Sequence, residues 1–294
     1  MSKKEITLRP YQESIINETL AAVQFGSDNV VIDSPPACVP GYTEFLTTSG
    51  WKRIDEYSEN DLICVWNQNG ETNFEKPLKY INQSCMDKFI NIKTNGINIT
   101  VSENHKMPYL TSKGRKSAKH LVKTAKDLIE LGEISIPRNF NSPIKYNNIN
   151  FTIDEMKVLI MQSADGNIIN FKSEDIIRLN LKKERKKERA RLLLKNAKII
   201  YKERIIKETG YSVFTYKSKY SIKDLSFLYL LTKEQIDELA YDIVFWDGSN
   251  PNINKLNYIS AKFHGNKRDA EAAQYALSIA TGKYVSIYKD KRKY

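Results

Sequence analysis

The sequence predicts a multidomain chain of mixed α and β structure, with a mostly-β domain followed by an α+β domain of two related halves. Three observations carry this expectation. After residue 37 the apolar pattern changes from a helix and a buried strand to short runs separated by turn residues. A capping box, an amphipathic helix and an Asp-Gly pair then occur twice, at 152–166 and at 232–248. The net charge of +11 is gathered in the last part, where residues 151–294 carry 28 basic and 18 acidic side chains.

Residues 1–37 read as helix, turn and strand. "RPYQESIINETLAAVQF" places Ile15, Ile16, Leu20 and Val23 at helical spacing, and "NVVID" has the form of a short buried strand. This is too little to fold alone. Residues 38–150 contain the β-rich pieces "EFLTTSGWKRIDEY", "DLICVWNQNGETNFEKPLKYINQ" and "KFINIKTNGINITVSENHKMPYL". Gln68-Asn69-Gly70 and Thr94-Asn95-Gly96 are their hairpin signals. Cys64 and Cys85 fall in apolar strands and read as core. The polar, Asn-rich "FNSPIKYNNIN" (140–150) reads as a linker.

From residue 151 the two halves, about 151–225 and 226–294, each read as helix, strands and helix. "TIDEMKVLIMQSADGN" opens on the capping pair Thr152 and Glu155 and delivers Asp165 before Gly166. "TKEQIDELAYDIVFWDGS" opens on Thr232 and Gln235 and delivers Asp247 before Gly248. Each helix spans about three to four turns. Further helices follow in "KKERKKERARLLLKNA" and "NKRDAEAAQYALSIATG".

Composition excludes several classes. No apolar run approaches the roughly 20 residues needed to cross a bilayer. The start "MSKKEITLRPYQ" has no apolar block after its basic residues, unlike a signal peptide. Three cysteines are too few for a disulfide framework or a zinc site. An intracellular, reducing setting is expected, with no membrane partner. A basic excess confined to one domain points to a polyanion, most often nucleic acid, against the alternative of a lysine-rich compositional bias.

Two readings of Asp165 and Asp247 stand side by side. Glycine after a helix is ordinary capping, and aspartate before it needs no special role. Their repetition inside a basic segment instead suggests two carboxylates converging on one axis to hold Mg²⁺ (or Mn²⁺) beside scissile phosphates. The basic run Lys182, Lys183, Arg185, Lys186, Lys187, Arg189 and Arg191 is either a phosphate-contacting face or a solvated one laced by Glu184 and Glu188. Base reading would fall to strand residues such as those in "SVFTYKSKYS", where Lys217 and Lys219 are further DNA-contact candidates.

Resemblances sharpen these expectations. "VLIMQSADG" (158–166) and "AYDIVFWDG" (240–248) resemble the paired motifs of LAGLIDADG (dodecapeptide, DOD-type) homing endonucleases, over about residues 151–294. This implies a pseudo-dimeric αββαββα fold whose β-saddles lie along double-stranded DNA, with Asp165 and Asp247 as catalytic metal ligands. Ile160 and Asp242 stand where that family usually has small residues at the helix crossing. That departure implies either wider helix separation or reduced activity.

"CVPGYTEFLTTSGWKRIDEY" resembles the first splicing block of inteins, and "ITVSENHKMPYL" the second, with Ser102-x-x-His105 in place of the usual T-x-x-H. The resemblance implies a horseshoe-shaped Hint domain begun by residues 38–150. In it the Cys38 thiol attacks the Ala37 carbonyl to form a thioester. His105 protonates the departing nitrogen and Ser102 orients the amide. The chain ends "YVSIYKDKRKY" without the His-Asn pair of an intein, so splicing would need a C-terminal segment that this chain lacks or that a separate fragment of a split intein supplies.

"LRPYQESII" with "VVIDSPPA" resembles the start of a superfamily 2 DNA helicase, in which Gln12 would read adenine. The phosphate loop is interrupted after Ala37 and its lysine is missing, so no ATPase activity is expected. The function implied is an intein-borne, site-specific DNA endonuclease whose target is the uninterrupted helicase gene. The rivals are a DNA-binding relic without catalysis and a hedgehog-type autoprocessing module, against which the paired Asp-Gly helices argue.

Overall fold

A computed structural model describes residues 10–26, 38–66, 71–82, 88–94, 97–110, 120–132, 135–137, 140–145, 149–171, 174–218, 220, 223–247 and 267–287. The N-terminal periodicity forms helix α1 (Pro10–Gln24), on which Ile16 and Leu20 are exposed. The side chains of Ile15 and Val23 lie outside the described residues. The side chain of Gln12, residue Ala37 and the expected "NVVID" strand lie outside the described residues.

Short alternating runs form β1 (Glu44–Thr47), β2 (Gly50–Arg53), β3 (Ile63–Trp66) and β4 (Thr72–Glu75), an antiparallel sheet of order β2-β1-β3-β4. Gly50 has φ +110, in the left-handed region, and a Cβ there would lie 3.1 Å from the Tyr229 ring. β5 (Phe89–Thr94) pairs with β6 (Ile97–Ser102), Thr94 opposite Ile97, on either side of the Thr94-Asn95-Gly96 turn signal; Asn95, Gly96 and the other signal, residues 68–70, lie outside the described residues. β7 (Lys106–Leu110) pairs with β8 (His120–Thr124), which runs into α2 (Ala125–Glu130). Cys85 lies outside the described residues.

The β-rich segment divides between two cores. Leu46 is buried in the main core, with Cys64 and Phe74 packed against it, so the β1–β4 sheet is joined to residues beyond 150. Val101, Met107, Ala125 and Leu128 form a second, smaller core with Val39 and Ile90. The expected linker at 140–150 is anchored. Phe140 and Ile149 pack on the main core, Thr72 Oγ1 donates to the Asn141 carbonyl at 2.5 Å, and Ser142 Oγ donates to the Leu231 carbonyl at 3.1 Å. Its few apolar residues decide its placement despite the surrounding asparagines.

Both repeated helices form with the caps read from sequence. In α3 (Ile153–Asp165), Thr152 N–H donates to Glu155 Oε2 at 2.8 Å and Glu155 N–H returns to Thr152 Oγ1 at 3.2 Å. In α5 (Lys233–Asp247), Thr232 and Gln235 exchange the same bonds at 3.1 and 3.4 Å. Between them run β9 (Gly166–Phe171), β10 (Glu174–Leu181), α4 (Glu184–Asn196), β11 (Tyr201–Ile206), β12 (Tyr211–Lys217) and a 3-10 segment Ser226–Leu230. The strands form an antiparallel sheet of order β11-β12-β10-β9.

α3 packs on α4 and α5, and α5 packs on α6 (Lys267–Thr281). α6 and the 3-10 segment also face the first sheet, where Lys267 pairs with Glu44 at 2.6 Å. The first half is thus α3-β9-β10-α4-β11-β12. The described helices of the second are the 3-10 segment, α5 and α6, with 248–266 outside the described set.

Candidate functional site

Asp165 ends α3, and the chain turns directly into β9. Gly166 is not the left-handed cap expected of an Asp-Gly pair, for its φ is −85 and ψ 148. Glycine is needed there for another reason: a Cβ would fall 2.5 Å from the Gln162 carbonyl oxygen. This tight exit leaves the Asp165 carboxylate partly exposed, with Lys186 Nζ at 2.5 Å. Lys186 also lies 5.6 Å from the centre of the Trp246 ring. Trp246 immediately precedes Asp247, the last residue of α5. The ends of the two motif helices therefore meet around one ammonium group. The Asp247 side chain and Gly248 are outside the described residues.

Ile160 is 2% exposed and Asp242 0%, so both unusual crossing residues are buried. Asp242 is held by Arg189, whose Nε and Nη2 donate at 2.9 and 2.6 Å to its two carboxylate oxygens.

The basic run is divided: Lys182 and Lys183 are exposed, Glu184 laces Lys187 and Arg191 as the solvated reading expects, and Arg185, Lys186 and Arg189 turn into the fold. Arg185 donates to the Phe245 carbonyl at 3.1 Å. Lys187 is buried and bonds Glu184 at 3.1 Å, and Arg191 bonds Glu203 at 2.9 and 2.7 Å. Hydrogen bonding from Arg191 holds the Glu203 carboxyl below its ordinary range. Among the DNA-contact candidates, Lys182 and Lys183 are exposed, with Lys182 5.8 Å from the Tyr211 ring. Lys186 and Lys187 are engaged inside the fold, and exposed Lys217 pairs with Glu174 at 2.6 Å. Lys219 lies outside the described residues. Helical periodicity explains the difference: α4 turns one basic stripe toward α3 and α5, where carboxylates and aromatic faces receive it.

A second basic surface was hidden in strand alternation. In "EDIIRLNL", Ile177, Leu179 and Leu181 are buried while Arg178 and Asn180 are exposed. Register places Lys202, Thr215, Arg178 and Asn167 side by side across all four strands, on the face away from the core. Arg204, Val213 and Asn180 form the next row. The alternation was readable in sequence; the cross-strand alignment was not.

In the smaller core, Cys38 and Ser102 meet across 64 residues of chain. Cys38 N–H donates to Ser102 Oγ at 3.0 Å, and Ser102 N–H donates to the Cys38 carbonyl at 3.0 Å. His105 follows one turn later, its N–H donating to the Ser102 carbonyl at 3.0 Å and its carbonyl accepting from Ala125 at 2.8 Å. These backbone bonds fix His105 between β6 and α2. Its Nδ1 is buried without a hydrogen-bond partner among the described residues, and burial lowers its pKa from the ordinary 6.5. Cys64 is half-buried in the other core, where burial pushes its thiol up to about 11, so it is a poor nucleophile.

Hard carboxylate oxygens are present for a divalent cation, and the Asp165 carboxylate already receives one cationic group. Among the described residues no three His, Cys, Asp or Glu side chains cluster as a metal cage. Of the two expected ligands only the Asp165 carboxylate is described, a hard oxygen donor of the kind Mg²⁺ takes. Among the same residues, no helix is long and apolar enough to cross a membrane.

No family model matches the chain, and no curated protein matches it. Solved structures of a homing endonuclease are similar to part of it. They are structures of I-DmoI. Its complex with DNA and Mn is 13% identical, covering 43% of this chain and 78% of that chain, at a TM-score of 0.29. Mesophilic variants of I-DmoI give 13% identity, 43% and 76% coverage and a TM-score of 0.29. The complex with DNA and Ca gives 13%, 44% and 73%, at 0.30.

Proposed function

We propose that residues 151–294 form a site-specific, divalent-metal-dependent DNA endonuclease of the LAGLIDADG type, with Asp165 and Asp247 as the metal ligands. The observation that carries this reading is the meeting of the two motif helix ends, where Lys186 reaches both Asp165 and the Trp246 ring. Mg²⁺ or Mn²⁺, when bound, supplies a Lewis acid and an activated water for phosphodiester hydrolysis. Lys186 supplies a fixed positive charge beside developing phosphate charge. The exposed sheet row of Lys202, Thr215, Arg178 and Asn167 lies against DNA: the basic groups contact phosphates or guanine edges, and Asn167 suits adenine.

The test is cleavage of plasmid carrying the uninterrupted helicase-gene sequence, with Mg²⁺ or Mn²⁺. Asp165→Asn and Asp247→Asn are expected to abolish cutting while leaving DNA binding largely intact. A wild-type chain that binds this DNA but cuts nothing under either metal is the non-catalytic relic instead.

A second reading concerns the segment before residue 150, and a separate observation favours it. The amide nitrogen of Cys38 belongs to the Ala37–Cys38 peptide bond, and its N–H is held by Ser102 Oγ. We infer an intein-type N-terminal splicing step at this bond. The Cys38 thiol proton passes to neutral His105 as its sulfur bonds to the Ala37 carbonyl carbon, the C–N bond breaks, and the nitrogen leaves as an amine after taking that proton back from His105. Dithiothreitol should then release residues 1–37, as read by mass spectrometry. Release that persists in Cys38→Ala would refute the assignment.

A further inference from the structure

We propose that the Arg189–Asp242 pair is a registration lock that sets where the last turn of α5 meets Asp165. Arg189 and Asp242 are then positioning residues for the proposed hydrolysis, and the functional part of this inference rests on that reading of the two aspartates. The Asp242 carboxylate is fully buried at the helix crossing and takes both arms of one guanidinium, at 2.9 and 2.6 Å. The Arg189 guanidinium also lies 5.1 Å from the centre of the Tyr241 ring. One turn earlier on α4, Arg185 donates to the Phe245 carbonyl at 3.1 Å and lies 4.7 Å from the Phe245 ring centre. Lys186 beside it reaches Trp246 and Asp165. One face of α4, a first-half helix, thus grips α5 at Asp242, Phe245 and Trp246. Asp247 is the next residue.

Stability alone is a weak reason for such a pair. Desolvating two charges offsets much of their attraction, and apolar replacements of similar volume often fold as well or better. Geometry gives the pair a different use. A forked guanidinium accepts a carboxylate in one orientation. The Phe245 carbonyl belongs to the last turn of α5, where carbonyls lack intrahelical donors, so Arg185 completes that end as well. Sliding α5 by one residue would break both attachments and turn Asp242 out of reach. An apolar crossing would permit that slide; this pair forbids it.

The experiment uses the full chain carrying Arg189→Met with Asp242→Leu, and separately the near-isosteric Asp242→Asn. The double variant is expected to keep or raise Tm, while amide exchange over residues 243–247 quickens by about tenfold or more and that of β10 and β12 stays as in wild type. Affinity for target DNA is unchanged, since the exposed sheet row is untouched, and the single-turnover cleavage rate falls by about tenfold or more. Asp242→Asn gives the same local pattern at smaller amplitude, and decides the matter if the double variant does not fold. Wild-type exchange over 243–247 in a folded variant would overturn the proposal. So would exchange that rises evenly over α3, α4 and α5 with a lowered Tm, the mark of a purely stabilising pair. Failure of the wild-type chain to cut DNA would instead refute the endonuclease reading, while the exchange measurement still decides the lock.

Discussion

His105 shows how a single side chain is tuned by its surroundings. Burial disfavours its charged form and lowers its pKa from 6.5. The unfolded chain, with the ordinary value, therefore binds the proton more readily between the two pKa values. Stability rises with pH across that window and is fully present above 6.5; it is lost as pH falls toward the folded value. The urea midpoint should thus be level above pH 6.5 and fall below it, and His105→Gln should flatten that part of the profile. An unchanged slope would mean that other groups carry it. The same burial leaves imidazole neutral near neutral pH, so in the proposed splicing step it can accept the thiol proton and, once charged, readily pass it to the departing nitrogen. Asp242 shows a different dependence on distant groups. It is fully buried against a guanidinium, and that partner sits 53 residues away in sequence.

Among the elements, α3 is delimited by chemistry at both ends. The capping box satisfies two backbone donors at its start, and Thr152→Ala should cost about 1 kcal/mol in chemical denaturation. At its other end, a methyl group on residue 166 would strike the Gln162 carbonyl oxygen at 2.5 Å. Gly166→Ala should destabilise the chain by about 1–3 kcal/mol, as overpacking does. It should also lower metal-dependent cleavage by more than its stability loss explains, because the last turn of α3 opens and Asp165 moves with it. Cleavage that tracks stability alone would show that Asp165 keeps its place. α4 is the element whose role differs most from its composition: its dense positive charge is spent within the fold, holding the motif helices together.

For the whole molecule, the basic excess has to act through whatever remains exposed. The sheet face offers Arg178, Lys202 and Arg204, with Thr215 and Asn167 between and beside them. Changing Arg178, Lys202 and Arg204 together to Gln should weaken DNA binding. Each lost phosphate contact should reduce the slope of log affinity against log salt by about 0.9. The same triple change at exposed Lys182 and Lys183, just before α4, and Lys195 in its last turn should alter that slope less; a larger change there would move the DNA to α4. The main core also ties the β1–β4 segment to the residues beyond 150. Leu46 packs with residues beyond 150, and Gly50 lies against Tyr229, so the β1–β4 sheet should melt with the helical core in one calorimetric transition.

Local rules in the sequence determined much of this. Capping boxes at Thr152 and Thr232 and the pairing of the strands on either side of the Thr94-Asn95-Gly96 signal depend on neighbours a few residues apart, and each formed as read. The repetition of Asp-Gly at two helix ends likewise marked the candidate metal ligands, and the Cys38, Ser102 and His105 trio marked the candidate splicing centre. Tertiary structure alone decided what those residues touch. Periodicity tells which face of α4 is basic but not that the facing helices hold Asp165, Asp242 and the Phe245 carbonyl to receive it. Nor could the polar stretch at 140–150 reveal that it is packed down, since Phe140 finds its partner in Tyr275. The physical reason is one of range: caps and turns are fixed by bonds within a few residues, whereas a buried charge or ring takes its meaning from groups that folding brings from afar.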